Sequence, residues 1–271
     1  MGVGFLRDSK RGAVCVKLFL TKQQRHLSIF AKIGLSYSFE SSFFGFNNFI
    51  MSQTFVRSFD IESINKTLKM QQKSVGDVSC VIWDAAIVLS KYLEILYSKN
   101  KEYFMNKQVI ELGAGLGCAG LVASCLGAHV TMTDLPEVIE NLKNNIECNK
   151  LVWESCGGNA QARSLKWGSS DIDAYSPPDV LIATDCVYYE ESVEPLVQTM
   201  TALSSDKTEI LVCQEERDTE QQQHAWKLFR DLFTKHFEYT KVPLKDQHSL
   251  YSSDEIVIFR GRKKSQLSLV N

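Results

Sequence analysis

Two rhythms of apolar residues alternate along the chain. Short aliphatic and β-branched runs, suited to strands, are separated by stretches in which apolar residues return every three or four positions, as in helices. Residues 54–80 predict one or two strands or a lid. From Trp83, apolar residues at 85, 86, 89, 92, 93 and 96 predict a helix. A strand follows at Gln108–Leu112, then a short helix, then a strand at His129–Thr133. Residues 135–149 predict a helix with Pro136 in its first turn, where the missing N–H costs nothing. Residues 160–167 predict a third strand, and Val180–Thr184 is apolar throughout, as a parallel strand covered on both faces must be. A helix over 190–203, a strand at Glu209–Cys213, a helix over 218–235 and a strand pair around 237–243 and 254–260 complete the pattern. Strands alternating with helices predict an α/β fold with a mostly parallel sheet.

The chemistry concentrates where the first core strand meets its helix. Gln108-Val109-Ile110-Glu111-Leu112 runs into Gly113-Ala114-Gly115-Leu116-Gly117. Glycine takes φ > 0 and lets backbone lie against a ligand, while the helix end beyond presents N–H groups and positive dipole charge. Such a turn is a nucleotide-like cofactor site. A dinucleotide fingerprint would require Gly at position 118, but Cys118 stands there. Two acids refine the reading. Asp134, at the end of the second core strand, is placed to accept both hydroxyls of a ribose. Glu111 sits where a ligand amino group could be met.

Composition narrows the class. The chain has 271 residues, enough for one domain and an extension, with 44% hydrophobic and 23% charged residues. A net charge of −2 argues against a broad nucleic-acid surface, and no nucleic-acid partner is expected. No apolar run reaches the roughly 18 residues that a membrane span requires, so no membrane association is expected. The eight Cys form no C-x-x-C pair and no His stands at metal-ligand spacing. A reducing, cytoplasmic setting without a metal is the simplest account. Residues 1–50 differ from the rest: they hold 8 of the 15 Phe, none of the 5 Pro, and seven Lys or Arg against Asp8 and Glu40. That balance suits a mitochondrial transit peptide. An extension or mis-assigned start ahead of a domain over 51–271 is preferred, because Ser41 to Asn48 show no amphipathic period.

A second motif stands at the end of the apolar strand over 180–184: Asp185-Cys186-Val187-Tyr188, a D-x-x-Y. As packing alone it reads as a helix cap with a buried Tyr. Together with E-x-G-x-G-x-G it resembles the seven-β-strand protein-lysine methyltransferases. Four stretches, Cys80 to Glu94, Leu165-Lys166-Trp167-Gly168, Asp185 to Glu191 and Tyr251-Ser252-Ser253-Asp254, resemble those that act on valosin-containing protein, an AAA ATPase. The resemblance covers about residues 54–265. It implies a Rossmann-like, seven-stranded, mostly parallel sheet, the class I S-adenosylmethionine (SAM) methyltransferase fold. It implies SAM as cofactor, with Trp83, Gly113, Ala114, Gly115, Asp134, Trp167 and Thr184 around it and Trp167 beside the adenine. It also implies that Asp185 and Tyr188 approach the target lysine of valosin-containing protein or a similar ATPase or chaperone, and that the enzyme is a monomer. Thr184 stands where Ala is expected, and Gln214 where Tyr is expected at the substrate-facing wall.

A lysine is neutral in only about one molecule in a thousand near pH 7.4, given a free pKa of ~10.4. Asp185 does not remove that handicap, since a carboxylate favours the ammonium. It is read as an orienting group, Tyr188 as wall and hydrogen-bond partner, with the proton leaving to water before transfer.

Overall fold

Strand Val180–Thr184 is buried at every position because it runs through the middle of a seven-stranded sheet. A computed structural model describes residues 54–74 and 76–265. The extension expected over 1–50 lies outside the described residues.

The strands are β1 (Thr54–Ile61), β2 (Lys66–Lys73), β3 (Gln108–Leu112), β4 (His129–Asp134), β5 (Asn159–Ser164), β6 (Val180–Thr184), β7 (Glu209–Glu215), β8 (Phe237–Lys241) and β9 (Ile256–Lys263). The helices are α1 (Asp84–Lys99), α2 (Cys118–Cys125), α3 (Ile139–Cys148), α4 (Lys150–Ser155), α5 (Glu190–Leu203) and α6 (Glu220–His236). The main sheet has the order β5-β4-β3-β6-β7-β9-β8. Its first five members are parallel, and β9 lies antiparallel between β7 and β8. The order turns around between β3 and β6, the crevice where open α/β sheets bind ligands. This is the Rossmann-like, mostly parallel sheet that the sequence predicts.

Side chains alternate across the sheet with period two. Val109, Ile182 and Leu211 join the core packed under α1 and α2, whereas Ile110, Leu181 and Ile210 join the core with α5 and α6. On α6, Trp226, Phe229 and Phe233 stack in turn, and the series continues to Phe237 of β8. Cys118, Cys125 and Cys213 belong to the first core and Cys186 to the second, so these cysteines pack as small hydrophobes.

Several boundaries differ from expectation. Residues 135–138 form a turn, with the Val138 amide donating to Leu135 O at 3.0 Å, so α3 begins at Ile139 and Pro136 precedes it. A further helix, α4, follows at Asn149. β5 ends at Ser164, leaving Leu165 to Gly168 as a loop, while β7 extends to Glu215 and includes Gln214.

The segment before α1 is a two-stranded hairpin, β1–β2, apart from the main sheet. It rests on helices through side chains. Asn149 brackets Lys69 of β2, accepting from its N–H at 2.7 Å and donating to its carbonyl at 3.0 Å. Asn145 does the same to Gln71, at 2.7 and 3.1 Å. On α1, Lys91 is only 2% exposed and donates to Asp60 O at 2.7 Å, and its ammonium pairs with Glu94 at 2.9 Å. Helix α1 is therefore buried around more of its circumference than its apolar stripe predicts, because the hairpin covers it.

Candidate active site

β3 ends in three glycines at alternate positions, all left-handed: Gly113, Gly115 and Gly117 have φ of 62°, 54° and 80°. They serve different ends. A Cβ on Gly117 would stand 2.6 Å from Leu142 Cδ1, so this glycine permits helix packing. A Cβ on Gly115 would meet nothing closer than 3.8 Å, so its left-handed backbone, rather than crowding, requires glycine there. At Gly113 a Cβ would lie 2.8 Å from Cys186 Sγ and 3.0 Å from the Trp167 ring. Three distant stretches thus close on one point: the glycine turn, the Leu165–Gly168 loop and the D-x-x-Y segment.

Asp134 completes the turn from β4. Its Oδ2 accepts from Gly115 N at 2.7 Å and its Oδ1 from Leu135 N at 2.8 Å. Burial holds its pKa above the usual carboxylate range, against those two amide bonds. Each oxygen retains lone pairs for further donors, as a ribose diol would supply. Ala114 is anchored by its amide to Thr133 O at 3.0 Å. Trp167 is held in place by its neighbour: Gly168 N donates to Thr199 Oγ1 of α5 at 2.9 Å. Trp83 stands at the N-terminus of α1, its indole N–H donating to Val78 O at 2.7 Å.

Glu111, expected where a ligand amino group could be met, is enclosed by the protein. As the fourth residue of β3 its side chain points toward α2, where Oε2 accepts from Gly120 N at 3.0 Å. It is 1% exposed, and Oε1 is buried with no hydrogen-bond partner. Burial pushes its pKa up to about 8. The carboxyl supports the glycine turn from below rather than facing an open cleft.

At the end of β6, Thr184 is buried and leads into Asp185, a non-glycine residue with φ of 53°. Such a backbone is uncommon for a residue with a Cβ, and Asp is among the few that tolerate it. The Asp185 amide donates to Cys213 O at 2.8 Å, which turns its carboxylate toward the end of β7. There Gln214 Nε2 donates to Asp185 Oδ1 at 2.9 Å and to Val187 O at 3.2 Å, while its Oε1 accepts from Val187 N at 3.1 Å. Gln214, read from the sequence as part of a substrate-facing wall, is 2% exposed and clamps the D-x-x-Y turn from within. Tyr188 is half-buried, edge-on to Tyr189, and burial raises its pKa.

Arg217 was not predicted. Its Nη1 donates to Asp185 Oδ1 at 2.9 Å and its Nη2 to Oδ2. It also pairs with Glu215 at 2.6 Å, and its guanidinium carbon lies 5.3 Å from the centroid of the Trp83 ring. The signal available was position: Arg217 follows the end of a parallel strand, at the edge where sites of this architecture collect.

The cradle fits an adenosyl ligand: a left-handed glycine backbone, an acid bonded to it, and an indole against its first glycine. The chemistry of an Asp and a Tyr beside that cradle suits a polar acceptor. Among the described residues no group of His, Cys, Asp and Glu could hold a metal, and no helix is long and apolar enough to cross a membrane.

A family model described as lysine methyltransferase matches residues 62–231. The protein N-lysine methyltransferase METTL21A of Mus musculus is 32% identical over 212 residues, 74% of this chain and 86% of that protein. METTL21A of Xenopus tropicalis is 38% identical over 57% of this chain and 68% of its own, and the EEF1A lysine methyltransferase 3 of the same species 32% over 59% and 66%. The chain belongs to the lysine methyltransferase family and is an enzyme that takes its methyl group from SAM.

Proposed function

We propose that the acceptor is a lysine on a folded protein, reached through D-x-x-Y, and that valosin-containing protein is the first candidate substrate. One observation carries the reading of the site. Cys186, inside D-x-x-Y, packs against Gly113 so closely that a Cβ there would clash, which brings the acceptor motif against the cofactor turn. Methyl transfer needs that adjacency, since catalysis is largely in-line positioning of amine and methyl.

When bound, SAM supplies a methyl already activated by its sulfonium. Gly113, Ala114 and Gly115 offer it backbone, Asp134 the ribose acceptor, and Trp83, Trp167 and Thr184 its walls. Glu111 contributes by fixing the turn through Gly120. Asp185 and Tyr188 orient the lysine and exclude water from it. The proton leaves to water before transfer, and none of the described residues is assigned as a general base.

The substrate assignment is supported by Cys80–Glu94, Leu165–Gly168, Asp185–Glu191 and Tyr251–Asp254, the stretches that resemble enzymes acting on valosin-containing protein. A second reading, a chaperone or elongation factor, is favoured by relatives such as the EEF1A lysine methyltransferase 3. One set of measurements tests both site and substrate. Labelled SAM and a cell lysate, followed by identification of the labelled protein, names the substrate. Asp185→Ala is expected to abolish that label while SAM affinity, measured by calorimetry, stays within about twofold. Asp134→Ala is expected to weaken SAM binding at least about tenfold, through loss of charge-assisted bonds. Loss of SAM binding in Asp185→Ala would overturn the division of the site.

A further inference from the structure

A lone carboxylate beside a lysine works against methyl transfer, because it stabilises the ammonium, which has no lone pair to give. Asp185 is not alone. Both of its oxygens receive N–H groups from the Arg217 guanidinium, a forked geometry that a lysine ammonium cannot reproduce. The fork is fixed from three sides. Glu215 of β7 pairs with Nη2 at 2.6 Å, Trp83 at the start of α1 lies under the guanidinium, and Gln214 holds Asp185 Oδ1 at 2.9 Å. The Arg217 side chain is 19% exposed, and that of Asp185 is 5% exposed. Burial alone would lower the Arg217 pKa, but Asp185 and Glu215 hold it above its ordinary value.

We propose that Arg217 is a positioning residue for lysine transfer: by engaging both oxygens of Asp185 it compensates that carboxylate, so the turn orients the target amine without holding it as ammonium. The inference rests on the protein-lysine reading above. The other titratable groups that act on the pair are Cys186 of the same loop and Cys213 and Glu215 of β7. None of them besides Arg217 brings a positive charge to Asp185, so the effect of removing Arg217 has a definite sign. Asp185 then acts uncompensated, the ammonium is favoured, and transfer needs a more alkaline solution.

The test uses the full chain with methyl-labelled SAM and a cell lysate, reading the initial rate of label entering protein against pH. Arg217→Gln is expected to move the rising limb by about one pH unit to the alkaline side. That shift corresponds to about a tenfold loss near pH 7, largely recovered at high pH. Arg217→Lys keeps the charge without the fork, and its midpoint is expected to stay within a few tenths of a unit of the wild type. Calorimetry with SAM verifies that each variant retains the cofactor half. A loss that is the same at every pH overturns the proposal, because a merely structural arginine would behave so. A gain of activity at neutral pH in Arg217→Gln also overturns it, since Arg217 would then be occupying the lysine's place. Should Arg217→Gln fail to bind SAM, Arg217→Lys decides alone, and an alkaline shift of a full unit there overturns the compensation. A wild type that labels no protein at any pH overturns instead the reading on which the inference rests.

Discussion

Glu111 shows how burial changes the role of a residue whose position in the motif is unambiguous. Its carboxyl, enclosed beneath the glycine turn with one oxygen on Gly120 N, has its pKa raised from 4.5 to about 8. The sign of the consequence follows from proton linkage. An acid whose pKa is higher in the folded than in the unfolded state binds more protons when folded, so the stability it contributes is complete below the unfolded pKa and is lost as pH rises through the folded one. The window runs from about 4.5 to about 8. Glu111→Gln, which keeps an acceptor for Gly120 but never ionises, is therefore expected to gain on the wild type as pH rises. Thermal melts of both proteins without SAM, between about pH 5 and pH 8, should show melting temperatures that diverge by several degrees. Parallel curves would mean that Glu111 is ionised in the fold.

Among the elements, the hairpin β1–β2 is held by an unusual substitute for a neighbouring strand. Asn145 and Asn149, one turn apart on the end of α3, present their amides to Lys69 and Gln71, two residues apart on β2. The four-residue period of a helix face and the two-residue period of a strand edge match here. Each carboxamide satisfies one N–H and one carbonyl that the strand would otherwise leave open. Asn149 is 1% exposed, so Asn149→Ala leaves two backbone groups of Lys69 without partners. A cost of about 2 kcal/mol is expected, or roughly 4–8 °C in melting temperature. An unchanged melting temperature would show that water replaces the amide without loss. The same asparagine stands where the predicted helix ends: it closes α3, and α4, which the pattern of apolar residues does not predict, starts behind it.

For the molecule as a whole, the described residues 54–74 and 76–265 contain a complete main sheet, its helices on both faces and every residue assigned to the site. The composition changes near Met51, where the Phe-rich, basic stretch ends. A chain beginning at Met51 is therefore expected to bind SAM and to melt within about 2 °C of the full chain. A large fall in melting temperature would show that residues 1–50 contribute to the domain's core.

Periodicity and motif chemistry in the sequence determined the α/β alternation, the glycine turn, Asp134 after the second core strand and D-x-x-Y after the apolar one. These are local facts: a strand's period, a glycine's φ and an acid at a strand end all act within a few residues of the chain. Tertiary structure decided the rest, because it depends on which distant groups meet. Sheet order set β9 between β7 and β8, and the hairpin's seat on α1 buried Lys91, which no stripe on the helix predicts. The pleat of β3 turned Glu111 inward to Gly120. The left-handed turn at Asp185 aimed its carboxylate across the sheet to Gln214 and Arg217, at separations of 29 and 32 residues. Charge pairing at such distances leaves no period in the sequence; it exists only when parallel strands bring their carboxyl ends to one edge.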